Sequence, residues 1–224
     1  TTEQWNGTSW TEVGDMNTAR RDCRGAGTYT DMIAFGGYTN SGAVYNTKTE
    51  LWNGTSWSET TDLANGVTNH GGAGQTQTAG LSFGGGSSPG AVVALTEEWT
   101  GAGAALGAWS TSNAMNTARK GHGGSGIYTA ALAFGGEVSP PTAVTESYNG
   151  TNWTEVNDLN QARTGLGGNG TQTSSLAFGG EPGLAVTESW NGTNWTEVND
   201  LNSGRSGMEG ISIGADNTSA LAAG

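Results

Sequence analysis

The sequence predicts an all-β chain in which one supersecondary unit is written five times, and three observations carry that prediction. Thr-Glu-x-(Trp/Tyr) occurs at Thr2–Trp5, Thr49–Trp52, Thr96–Trp99, Thr145–Tyr148 and Thr187–Trp190, with its glutamates at 3, 50, 97, 146 and 188. Those positions are spaced by 47, 47, 49 and 42 residues. A second Trp follows each time, at Trp10, Trp57, Trp109, Trp153 and Trp195. Asn-Gly stands between the two aromatics in four copies, at Asn6, Asn53, Asn149 and Asn191. Self-similarity at such a period marks units that cannot bury their own faces and must stack.

Taken in order, the first element of the pattern is a β-hairpin. Asn191-Gly192 tolerates the positive φ of a tight type I′ turn, and Asn6-Gly7, Asn53-Gly54 and Asn149-Gly150 repeat it. Before the turn Glu188 and Trp190 point one way and Thr187 and Ser189 the other; after it Trp195–Val198 keeps a period of two in residues that favour a pleated surface. The third copy has Thr100-Gly101 and a longer Gly/Ala-rich tip instead, an insertion a surface turn tolerates. Asn6-Gly7-Thr8 and Asn191-Gly192-Thr193 also match the glycosylation sequon, but the turn already accounts for the Asn-Gly pair.

A polar linker follows each hairpin: Gly14–Arg20, Thr61–Val67, Ser112–Arg119, Asn157–Arg163 and Asn199–Arg205, with Val67 where the others carry Arg. A Gly-rich strand comes next (Gly25–Gly27, Gly72–Gly74, Gly124–Gly126, Gly168–Gly170), and glycine within a strand marks close approach of another backbone. A short apolar strand ends each time in Phe-Gly-Gly, at Ile33–Gly37, Leu81–Gly85, Leu132–Gly136 and Leu176–Gly180, with Leu221–Gly224 as a degenerate last copy. A full unit therefore carries four strands.

Composition narrows the class. Twenty acidic against eight basic residues give a net charge of −12, which disfavours nucleic acid and anionic membranes as partners. No run of apolar residues is long enough for a membrane-spanning helix, so no membrane insertion is expected. Cys23 is the only cysteine, so no internal disulfide can form. The chain opens inside a repeat with no visible leader, as a processed product or one module of a larger polypeptide would.

The linker Arg, the Gly-Gly after an apolar strand, the Glu-x-aromatic and the spaced Trp together resemble the kelch repeat. The resemblance spans essentially all 224 residues and implies a single five-bladed kelch-like β-propeller of four-stranded antiparallel blades. Its hairpins would start near 2, 49, 96, 145 and 187. Residues 1–13 would join about 205–224 in a closing blade, sealing the ring and making either terminus indispensable to it.

Candidate site residues fall into four groups. The recurring tryptophans suit sugar stacking, but their place in every unit reads as packing between blades. The linker arginines Arg20, Arg119, Arg163 and Arg205 could ring an anion, or each could pair with a carboxylate such as Glu3, Glu97, Glu146 or Glu188, which leaves Glu50 without a mate. The segments between Phe-Gly-Gly and Thr-Glu vary most, Tyr38–Lys48, Gly86–Leu95, Glu137–Val144 and Glu181–Val186. Their Tyr38, Asn40, Tyr45, Glu137 and Glu181 are the expected ligand contacts on a rigid scaffold. In kelch propellers these loops share a face with the linkers, so the resemblance places them near the arginines. Three residues beyond the linker Arg, the column Cys23, His70, His122, Leu166, Met208 carries soft donors, but no metal-ligand spacing is present and neither metal nor cofactor is expected.

No Gly-x-Ser-x-Gly elbow or phosphate loop occurs, so the expected role is a non-enzymatic binding or assembly module rather than a sugar-processing enzyme. The Trp-Asn-Gly-Thr-x-Trp and Phe-Gly-Gly repeats look like those of tailed-bacteriophage structural proteins. That likeness implies a virion or extracellular surface and a host glycan or partner protein as ligand. The alternative is a purely structural, protein-docking propeller.

Overall fold

A computed structural model describes residues 1–39, 44–88, 90–101, 107–208, 217, 218 and 220. The described residues are all-β. β1 (Thr2–Trp5) and β2 (Trp10–Val13) form a hairpin by themselves. Blade one comprises β3 (Arg24–Thr28) and β4 (Asp31–Phe35), with β7 (Thr49–Trp52) and β8 (Trp57–Glu59); between the two pairs lies a small ladder of β5 (Tyr38–Thr39) and β6 (Val44–Tyr45). Blade two repeats this with β9 (Gly71–Thr76), β10 (Ala79–Phe83), the small ladder β11 (Gly86–Ser87) and β12 (Ala91–Val92), β13 (Thr96–Thr100) and β14 (Ala108–Ser112). Blade three is β15 (Gly123–Ile127), β16 (Ala130–Phe134), β17 (Thr145–Tyr148) and β18 (Trp153–Val156). Blade four is β19 (Gly167–Thr171), β20 (Ser174–Phe178), β21 (Thr187–Trp190) and β22 (Trp195–Val198). Every blade is antiparallel, with strands in sequence order from the inner, Gly-rich edge outwards.

Four small sheets thus stand around an axis in a propeller-like arrangement, which corrects the expectation of five closed blades. The N-terminal hairpin pairs with no strand but its own two, and no described strand joins β19 back to β3, so the N-terminal strands do not close the last repeat. The strands expected near Ile211–Gly224 lie outside the described residues. Repetition in sequence counts units; it does not supply the inter-strand hydrogen bonds that make a hairpin part of a blade.

Inner strands pack in the succession β3, β9, β15, β19. Their glycines permit it: a Cβ on Gly168 would stand 2.6 Å from the Gly124 carbonyl oxygen of the preceding blade. The Gly-Gly pair makes the next joint. In blade two Gly84 has φ +64°, and a Cβ there would meet the His122 imidazole at 2.6 Å. The second glycine's N–H donates to the linker that follows its blade in all four blades: Gly37 to Val67 O, Gly85 to Arg119 O, Gly136 to Arg163 O and Gly180 to Arg205 O, at 2.8–3.0 Å.

Further out, the second Trp of the hairpins in blades two, three and four locks onto the blade before. Trp109, Trp153 and Trp195 donate their indole N–H to Thr49, Thr96 and Thr145 at 3.0–3.1 Å. Their rings pack on Phe35, Phe83 and Phe134 with centroids 4.9–5.0 Å apart. Burying such aromatics is the main favourable term at each seam. The tryptophans of the inner blades are framework.

Candidate interaction face

Each linker is the mortar between two blades. Its apolar residue hangs on the blade before, as where Met115 and Leu159 donate their N–H to Ala94 and Ala143 carbonyls at 2.9 and 3.0 Å. Its polar residues serve the blade after. Asn116 donates both backbone and side-chain N–H to Glu146, at 2.7 and 2.9 Å, and Arg119 donates to the same carboxylate at 2.6 Å. The other Arg119 nitrogen reaches the Ala133 carbonyl at 3.2 Å. Arg20 with Glu50, at 2.7 Å, and Arg163 with Glu188 repeat the arrangement, and all six side chains are buried. Burial pushes the Arg119 guanidinium pKa down, and the Glu146 charge opposes that shift.

This revises one expected pairing. Glu50 has its arginine, and Glu97 is the glutamate whose linker carries Val67 in the Arg position. Glu97 accepts instead from the N–H groups of Ala64 and Asn65, at 2.8 and 3.2 Å. Arg20, Arg119 and Arg163 are turned into the blades and have carboxylates as their counter-ions. Arg205 is half-buried and forms no ion pair among the described residues.

The residue after each linker Arg position emerges beside the residue that follows Gly-Gly. Arg21 and Tyr38 exchange backbone hydrogen bonds at 3.0 and 2.8 Å, and Thr68 and Gly86 do so at 2.9 and 2.8 Å. Lys120 and Glu137 pair likewise, and Glu181 N–H donates to Thr164 O at 2.8 Å. Backbone bonds among the adjoining turns hold this set together: Gly121 N–H to Asn69 O, Gly165 N–H to Gly121 O, and Gly207 N–H to Gly165 O, at 2.8–3.1 Å. One end of the axis therefore presents a fixed backbone frame whose side chains change from blade to blade.

On this frame the structure brings Tyr38 and Tyr45 together, edge to face at 5.4 Å, with the Arg21 guanidinium 5.1 Å above Tyr38. Glu137 lies 3.7 Å from Lys120 Nζ, both half-exposed, and Glu181 is exposed on blade four, three blades on from the tyrosines. Asn40 lies outside the described residues. Arg21 and Lys120 were missed by the sequence reading. The column Arg21, Thr68, Lys120, Thr164 follows the linker Arg position directly and varies from copy to copy, but its pairing with the residue after Gly-Gly is not written in the local pattern.

The column Cys23, His70, His122, Leu166, Met208 does not converge on one point. Each of the middle members packs into the joint with the blade before, His70 against Gly36, His122 against Gly84 and Leu166 against Gly135. His122 stacks on Phe83 with centroids 5.3 Å apart. Among the described residues no three His, Cys, Asp or Glu side chains are placed to hold a metal ion. A further asymmetric cluster sits at the seam of blades two and three. Tyr148 stands where the other blades have Trp, and its hydroxyl donates to Glu98 and lies 2.5 Å from Ser112 Oγ. Burial, and the hydrogen bond to Glu98, push the Tyr148 phenol up to about 12.

No helix of the described chain is long and apolar enough to cross a membrane. No protein-family model matches the sequence, and no curated protein matches it, so neither the kelch nor the bacteriophage resemblance gains support from those comparisons.

Proposed function

We propose that this chain is a non-enzymatic, protein-docking propeller that reads its partner with the loop face at one end of the axis. The observation that carries this is the contrast within one repeat. Glu146, Arg119, Phe134 and Trp153 recur as buried framework, while the frame positions beside them change from Arg21/Tyr38 to Thr68/Gly86, Lys120/Glu137 and Thr164/Glu181. An aromatic pair capped by a guanidinium, next to a mixed-charge patch, is the composition that protein interfaces favour at their anchors. A glycan ladder draws no comparable support, because Trp52, Trp99, Trp153, Trp190 and Trp195 are buried in or between blades.

A photo-crosslinking residue at position 38 or 137, against one at Glu155 on the outer edge, tests the reading in the native source material. A discrete protein captured from 38 and 137 but not from 155, and lost with Tyr45→Ala, is the expected result. Saturable binding on a glycan array, abolished by the same change and with no protein captured, would overturn it.

A further inference from the structure

The N-terminal hairpin carries the Thr, Glu and Trp of a seated blade hairpin, and among the described residues these make none of the contacts to a neighbouring blade that seat the others. Trp5 and Trp10 are 43% and 55% exposed, whereas Trp52, Trp99, Trp190, Trp153 and Trp195 are at most 5% exposed. Glu3 is exposed, and its four counterparts are buried. The hairpin of blade three makes three contacts: Trp153 caps the Thr96 hydroxyl and the Phe83 ring of the blade before, Glu146 takes the linker Arg119, and Thr145 accepts the Trp195 indole N–H from the blade after.

The mates of those groups also stand unmatched among the described residues, at the two ends of the arc. Arg205 has no carboxylate, although Arg20, Arg119 and Arg163 each have one. Thr187 receives no indole N–H, although Thr49, Thr96 and Thr145 each do. The Trp57 indole N–H is buried without an acceptor, whereas the same nitrogen of the other three outer tryptophans has one. Glu3 matches Arg205 in charge and Trp10 matches Thr187 and Phe178, whereas Thr2 and Trp57 would pair within one copy. These are the same pairings that are buried inside the chain at its own seams.

We infer that copies of this chain associate head to tail, the N-terminal hairpin of one copy seating against blade four and the Arg205 linker of the next. The occupant is a second copy because the surfaces complement each other through a seam the chain already builds three times. In the described fold this hairpin sits on none of its own blades, while its linker is tied to blade one through Asn17 and Arg20 on Glu50. An exposed aromatic pair at the end of a structure is a surface that association buries. Such an interface is heterologous, so it closes into a ring or extends. It uses surfaces separate from the loop face, and the two readings stand or fall independently.

Sedimentation velocity of the full chain over a wide concentration range tests this, with Glu3→Arg, Arg205→Glu and Trp10→Ser alongside, and circular dichroism confirming that each variant folds. The wild type is expected to shift to larger species as concentration rises, and each single variant to weaken association by about tenfold or more, since like charges are then juxtaposed or the anchor is lost. Mixing Glu3→Arg with Arg205→Glu restores opposite charges at every contact between unlike copies, so the mixture should recover the wild-type distribution. A wild type that stays monomeric at all concentrations overturns the inference. So do variants that associate as the wild type does, or a mixture that stays as dissociated as its components.

Discussion

Two buried histidines make this fold sensitive to acid. His70 and His122 are fully buried, with Nε2 of each against a glycine joint and without a hydrogen-bond partner. Burial lowers the His70 pKa from 6.5 to about 3, helped by the nearby Arg24 charge and opposed by the Gly71 and Phe35 backbone. His122 is pushed well down in the same way, by burial and then by Arg119. The folded state therefore stays neutral where the unfolded chain takes up protons. The resulting stability is full above pH 6.5 and is lost as pH falls below it, for His70 down to about 3 at about 1.4 kcal/mol per pH unit, with His122 acting in the same direction. Leu166 fills the same joint between blades three and four, so His122→Leu should fold and flatten the pH dependence of urea-unfolding midpoints in that window. An unchanged slope would show that the histidines are not the titrating groups. The glutamates separate in the same assay. Glu146→Gln strands the buried Arg119 and should cost about 3–5 kcal/mol. Glu97→Gln, facing only N–H donors among the described residues, should cost about 1 kcal/mol.

At the scale of elements, the hairpin is the unit of assembly, and its value depends on being seated. Trp153→Ala removes an indole that caps Thr96 and covers Phe83, and should cost about 3–5 kcal/mol by thermal unfolding. Removing residues 1–13 should cost under about 1 kcal/mol, because both tryptophans of that hairpin are exposed. Strands and turns were legible in the sequence because their causes are local. Asn53 and Asn191, for instance, accept the N–H groups two and three residues on at 2.9 Å, and the alternation around them fixes which Trp turns inwards. Which Glu meets which Arg was not legible, because the linker belongs to the blade that follows it; Val67 therefore deprives Glu97, not Glu50. The loop face was half legible. Tyr38, Tyr45 and Glu137 stood out by varying, but Arg21 and Lys120 join them only through backbone pairing at the base of one blade's inner strand pair, which no local pattern records.

For the whole molecule, stability should be nearly one-dimensional. Every strong non-local contact described here joins a blade or linker to its immediate neighbour: Phe83 to Trp153, Gly136 N–H to Arg163 O, Gln77 to the Met32 and Trp52 carbonyls. In such an array the stability of a unit is its own plus that of its interfaces, so a unit flanked twice outlasts a unit flanked once. Blades two and three are flanked on both sides by complete blades, with β9 between β3 and β15 and β15 between β9 and β19. Blades one and four each lack one such neighbour among the described residues, and the buried, unpaired Trp57 indole marks the cost at blade one. Native-state hydrogen exchange should therefore rank the inner-strand amides of β9 and β15 above those of β3 and β19 in opening free energy. The Trp153→Ala variant should uncouple the array at one joint, lowering protection in blades two and three together while leaving β3 close to its original value. Uniform protection across all four blades, falling uniformly in the variant, would instead show that the arc opens as one cooperative ring.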